Sequence, residues 1–234
     1  GAAVAERVEI TTKPEGGPAL RWASAGGKQY QVEAAERAST GTDVTLVLRP
    51  QSSRYLDPER LRGIVRRYAD FIGMPIVIGD ETSPANAIDA PWHKTYRTPD
   101  ERHTAFHAYW EERFEKEHSL EVLVVDEPIT VPDPQKEGAY VDGRVRGVLA
   151  ITDRHVPDIN TRGMVDVYVA RMFIALGHRD LLPTWARFIQ GVIECDVLTP
   201  NAARDDVIKN AAVTAVRDAL GRRVLAWLTE LSEK

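Results

Sequence analysis

Residues 79–91 read GDETSPANAIDAP, a polar stretch broken by Pro84 and Pro91. Proline has no N–H to donate and pushes its predecessor out of helical geometry, so no regular element crosses such a stretch intact. The residues on its two sides also differ in period. The stretch therefore predicts two units, residues 1–80 and 92–234, joined by a linker over 81–91. With 234 residues, 43% of them hydrophobic, the chain is long enough for two modest cores.

Before the break, apolar and polar residues alternate. Glu6–Thr12, Leu20–Ala23, Tyr30–Glu33 and Asp43–Arg49 read as strands, with Gly26, Gly27 and Gly41 at the joints. The pattern suggests a meander followed by one helix from Pro58 to about Phe71, with Asp57 as its N-cap. Leu61, Ile64, Val65, Tyr68 and Ile72 would form its buried stripe. A strand over Pro75–Ile78 follows.

After the break, Thr98-Pro99-Asp100-Glu101 is a capping box that starts a helix running to about Glu117. Strands are predicted over Leu120–Val125, Gly147–Thr152, Val165–Ala170 and Phe188–Ile193. The three prolines of PITVPDPQKEG, residues 128–138, mark an exposed loop. From Asn201 to Ser232 the pattern is helical. Ala212, Ala215, Val216, Ala219, Val224, Trp227, Leu228 and Leu231 form its stripe, and Gly221 is a point of weakness.

Composition excludes several function classes. Acidic and basic residues are interleaved and the net charge is -5. No concentrated basic face offers itself to nucleic acid, and the run Arg60–Arg67 reads as a solvated helix face. The single cysteine, Cys195, forms no intrachain disulfide and lies in the apolar run FIQGVIEC, where an inert buried thiol is expected. No apolar run of ~18 residues is present to span a membrane. The opening GAAVAERVEI has no signal-peptide pattern, so a cytoplasmic protein is expected.

Little in the spacing carries chemistry. His103, His107 and Glu111 fall on one helix face, but without the H-E-x-x-H pattern they read as surface residues. Trp92 serves equally as a core anchor or as an exposed contact. In TPNAARDD, residues 199–206, Asn201 is placed to cap the following helix and Arg204 to sit in its first turn, where a cation opposes the helix dipole. Free helix-start N–H groups beside a guanidinium make a phosphate clamp. Spacing alone nevertheless favours a structural pairing of Arg204 with Asp205 and Asp206.

Several segments together resemble the ninety-kilodalton heat-shock chaperone family in its bacterial, high-temperature protein G form. VAERVEI with RWASAGG, then GTDVTLVLRP, then YLDPERLRGIVRRYADFIGMPIVI, are similar to the end of that family's ATPase domain. VDVYVARMFI, DLLPTWARFIQGVIECDVL and TPNAARDDVIKN are similar to its middle domain, in the same order. The resemblance implies an α/β (α+β) chain. Residues 1–80 would be the last part of an N-terminal nucleotide-binding β-sheet with one helix. Residues 92–234 would be the large α/β part of the middle domain, with a ribosomal-protein-S5-like core.

The resemblance also implies a function: part of an ATP-dependent chaperone that assists protein folding. Arg204 falls on the arginine that contacts the nucleotide γ-phosphate, Asn201 on its partner asparagine, and Trp92 on a tryptophan near the start of the middle domain, where it is expected to face clients. Partners would be unfolded or partly folded clients and the chain's own N-terminal ATPase domain, with neither nucleic acid nor membrane. The full-length parent would be a homodimer using ATP and Mg; this chain alone would be a monomer expected to bind neither, because the ATP-binding elements precede residue 1 in family order. Three departures stand out. Ile208 replaces a glutamine, Ala203 replaces a serine, and the loop over residues 128–138 is longer than usual. Two alternatives remain: a non-catalytic client-binding module, and a topoisomerase- or mismatch-repair-type ATPase.

Overall fold

The computed structural model describes residues 4–27, 29–114, 119–133, 136–153 and 161–233. The chain divides into two compact units, Gly1–Gly63 and Ile64–Lys234.

The first unit is an antiparallel sheet of β1 (Ala5–Lys13), β2 (Ala19–Ser24), β3 (Gln31–Ala35) and β4 (Gly41–Leu48). All four predicted strands form, but not as a meander. The order is β3-β2-β1-β4, because β4 returns to pair with β1. Lys13 Nζ donates to the Arg37 carbonyl at 2.9 Å and Arg37 Nε to Asp43 at 2.9 Å, which fastens the connection across the end of β1. Strand alternation sorts the faces. Ile10, Trp22, Val32 and Val44 lie in register on one, and Glu9, Arg21 and Glu33 form an ion-pair ladder on the other.

Helix α1 (Pro58–Tyr68) begins at Asp57, whose carboxylate accepts from the Glu59 amide at 3.1 Å. None of its residues is buried, so the expected stripe is at most half-covered.

The second unit is a three-layer arrangement. Its sheet contains β5 (Ser119–Pro132), β6 (Tyr140–Thr152), β7 (Met164–Val169), β8 (Met172–His178) and β9 (Ile189–Cys195), in the order β5-β6-β9-β7-β8. Only β7 and β9 are parallel. Against one face lies α3 (Ala211–Ser232), where Val216, Leu220, Val224 and Trp227 pack on Leu149, Val167 and Ile193. Against the other lie α2 (Pro99–Arg113) and the segment before it, where Phe71, Trp92, Phe106 and Trp110 pack on Val148, Tyr168 and Val192.

The capping box forms as expected: Glu101 N donates to Thr98 Oγ1 at 3.1 Å and Arg97 N to Glu101 Oε2 at 3.0 Å. The expected end of α2 near Glu117 lies outside the described residues. Gly221 does not interrupt α3. A Cβ there would come within 2.8 Å of Pro183 Cγ, so glycine permits the helix to approach that turn.

Four expectations give way to tertiary context. The linker is not free. The Asn86 carboxamide accepts from Ile76 N at 2.8 Å and donates to the Met74 carbonyl at 2.9 Å, while Ala87 N donates to Asp70 at 2.8 Å. With Phe71 fully buried in the aromatic layer, residues 64–91 belong to the second unit, and the units divide at residue 63 rather than near 80. The bond to Asn86 takes up the Ile76 amide, and Pro75–Ile78 forms no strand. Pro128–Pro132 is strand rather than loop. β5 is an edge strand that tolerates missing N–H groups, and Ile129 and Val131 point into the core. Pro134 and Gln135 of that expected loop lie outside the described residues. Finally, β8 is an additional strand, formed as a hairpin with β7 through Ala170 and Arg171, both at positive φ.

Candidate functional site

β9 is buried along its whole length and delivers the chain to residues 199–208 at the sheet end. This segment is not helical. Pro200 and Val207 form an isolated antiparallel bridge, Asn201 N donates to the Asp206 carbonyl at 2.8 Å, and Ile208 N donates to the Thr199 carbonyl at 2.8 Å. Together these bonds close a narrow loop. Its tip is organised by Asn201, whose Nδ2 donates to Asp205 Oδ1 at 2.8 Å and whose Oδ1 accepts from Asp205 N at 3.2 Å.

Asn201 therefore does not cap the helix. That task falls to Asn210, whose Oδ1 accepts from Ala212 N at 3.0 Å and Val213 N at 3.4 Å, and α3 starts ten residues later than expected. An Asx-type turn competes with helix for the same side chain, which explains the displacement.

Arg204 sits at the loop tip, exposed, with φ at 57°. Its amide donates to the Asn201 carbonyl at 3.0 Å, and its Nη1 lies 4.0 Å from the Met172 sulfur. It forms no ion pair among the described residues. The acidic neighbours are engaged elsewhere: Asp205 with Asn201, Asp206 with His178 at 3.2 Å, and Asp180 with Lys209 at 2.6 Å and Arg162 at 3.3 Å. Hydrogen bonding from Lys209 holds the Asp180 carboxyl below its usual range. The expected pairing of Arg204 with Asp205 and Asp206 is thus absent, and one uncompensated guanidinium faces outward. Such a fork suits an oxyanion such as a phosphate.

The other candidates are placed as follows. Trp92 is buried, 8% exposed, with Nε1 donating to Glu194 at 2.7 Å, so its indole serves as a core anchor. Ile208 is 46% exposed beside the loop, and Ala203 is exposed within it. The His103 and His107 rings lie 4.8 Å apart, tilted at 56°, but among the described residues no group of three His, Cys, Asp or Glu is placed to hold a metal ion. No described helix is long and apolar enough to cross a membrane. A cavity of about 710 Å³, lined in part by Asp70, Asn86 and Tyr109, lies apart from the loop.

Sequence reading missed Glu194 and His178. A lone carboxylate inside an apolar strand run signals buried donors, and that signal was available for Glu194. Nothing local marked His178.

Fold and loop define an α+β protein that presents a bare arginine at the end of a buried strand. The family model for Hsp90 protein matches residues 152–234, which include β8, β9, the loop and α3. Over 99% of its length the chain is 27% identical to Chaperone protein HtpG of Roseobacter denitrificans, and over 98% it is 30% identical to Chaperone protein HtpG of Bordetella avium. It is 29% identical, over 99% of its length, to the protein of that name from Burkholderia cenocepacia. Over nearly its whole length the chain is thus similar to the HtpG proteins of the Hsp90 family. It spans 35% to 38% of the length of these relatives.

Proposed function

We propose that this chain is the coupling part of an ATP-dependent chaperone, with residues 199–208 reaching a bound nucleotide and Arg204 contacting its terminal phosphate. In this reading the first unit is the last portion of a nucleotide-binding domain, and the second is the middle domain, which also handles clients. The observation that carries the proposal is the state of Arg204: exposed, at a hydrogen-bonded tip, with Asp205 and Asp206 each engaged by another partner.

The chemistry follows from that geometry. As a terminal phosphoryl group leaves, negative charge spreads over its oxygens. A preorganised guanidinium lowers the barrier without having to reorient first. Asn201 shapes the tip from which Arg204 projects, so its role is to orient. ATP with a divalent ion would supply the reacting group, and the bare fork of Arg204 fits its anionic end.

The test is ATP turnover by the full-length protein. Arg204→Ala is expected to cut it ~1,000-fold with nucleotide affinity little changed, as for lost transition-state charge stabilisation. Turnover within a few-fold of wild type would remove Arg204 from the reaction and leave a client-binding module as the better reading.

A further inference from the structure

β8 supports the Arg204 loop at two points. Met172, at its start, lies against the guanidinium, and His178, at its end, meets Asp206. His178 is 8% exposed, unusual for a residue facing a surface loop. Its Nδ1 accepts from the Asp180 amide at 3.3 Å, which leaves the ring proton on Nε2, directed at Asp206 Oδ1 at 3.2 Å. The neutral ring therefore suffices for this contact.

Asp206 in turn sets the loop. Its Oδ1 also accepts from Val207 N at 2.8 Å, and its carbonyl accepts from Asn201 N at 2.8 Å. The Asn201 carbonyl then accepts from Arg204 N at 3.0 Å. A short chain of bonds thus runs from the buried edge of the sheet to the backbone of Arg204. The contact has a second effect: it holds the Asp206 carboxylate away from Arg204, only two residues distant, which would otherwise compete with a phosphate for the guanidinium. A parallel tether, Lys209 to Asp180 at 2.6 Å, secures the far end of the segment.

We propose that His178 is a positioning residue of the Arg204 loop, acting through Asp206 to fix the loop's geometry and to keep Arg204 free for the phosphate. The proposal rests on the phosphate-contacting role of Arg204. It predicts that the bond from ring to carboxylate matters, rather than the bulk of the imidazole.

The experiment has two readouts. In the full-length protein, kcat and KM for ATP are measured for His178→Ala, Asp206→Ala, the double variant, His178→Gln and Arg204→Ala. His178→Ala and Asp206→Ala should each lower kcat ~10-fold with KM unchanged, and the double variant should be no worse than either, as for two ends of one interaction. His178→Gln, whose amide donates at the Nε2 position, should restore most of the loss. A merely structural role would not show this rescue. In parallel, amide exchange at Asn201, Val207 and Ile208 should quicken ~10-fold in His178→Ala while β9 amides are unaffected.

If Arg204→Ala lowers kcat but the His178 and Asp206 variants stay within about twofold of wild type, the positioning role is overturned and the phosphate contact stands. If Arg204→Ala leaves kcat intact, the phosphate contact and the catalytic role of His178 both fall. Additive losses in the double variant would also overturn the proposal.

Discussion

Trp92 and Glu194, 102 positions apart, are joined by a 2.7 Å hydrogen bond from the indole Nε1 to Oε2, inside the layer between α2 and the sheet. The same oxygen meets His93 Nε2 at 2.6 Å, and Oε1 accepts from the Arg171 amide at 2.8 Å. A carboxylate only 4% exposed is tolerable because every one of these donors faces it. Glu194 thereby fastens the short turn Pro91–His93 and the β7–β8 hairpin to the centre of the sheet.

Removing that carboxylate leaves several buried donors without an acceptor. Glu194→Ala should lower the stability of the second unit by about 3 kcal/mol, read from urea unfolding followed by tryptophan fluorescence. A loss below about 1 kcal/mol would mean that water replaces the carboxylate and that the anchor is dispensable.

Asp70 makes the opposite kind of contribution. Burial pushes its carboxyl above the usual range, opposed in part by the bond from the Ala87 amide. A carboxyl whose folded value is raised is ionised at a cost at neutral pH. Stability therefore rises as pH falls through the folded value towards the unfolded one, and changes no further below it. Asp70→Asn keeps an oxygen for the Ala87 amide and removes the charge. It should be the more stable protein at pH 7, with the difference closing as pH falls. A gap that widens on acidification would contradict the assignment.

Cys195 has no exposed surface, and burial pushes its thiol up to about 11. At pH 8 almost none is thiolate, so a disulfide reagent should label it only as fast as the unit unfolds. Labelling of the folded protein at the rate of a free thiol would show the strand to be open.

The two asparagines near α3 should separate cleanly. Asn210→Ala removes the cap and should cost ~1 kcal/mol in thermal unfolding. Asn201→Ala should leave helix content unchanged while quickening amide exchange at Asp205, whose N–H it accepts. Equal losses of helicity from both variants would return the cap to Asn201.

Elements with local signals were legible in the residues. The capping box of α2 needs only a few neighbours, and the apolar stripe of α3 repeats at the spacing of the helix itself. Ala212, Val216, Ala219, Val224 and Trp227 are all buried, with Ala215, Leu228 and Leu231 packed against the same core. Four strands of the first sheet could be placed from alternation, but not their order, because alternation sorts the faces of a strand and does not say that β4 pairs with β1 rather than with β3. The stretch that looked like a linker was misread for a related reason. Its prolines forbid regular structure, yet Asn86 and Asp70 bind the irregular backbone that results.

The candidate loop divides along the same line. Its residues, TPNAARDD, and their order among the other segments were enough to indicate the family and to single out Arg204. Whether Arg204 is paired or free was not contained in them, since Asp205 and Asp206 stand beside it in sequence. That was decided by His178 and by the folding of Asn201 back onto Asp205. Caps and periodicity act over the few residues a side chain reaches along its own backbone. The neutralising of a charge depends on groups brought within a few ångströms from distant elements, and only the tertiary structure sets those distances.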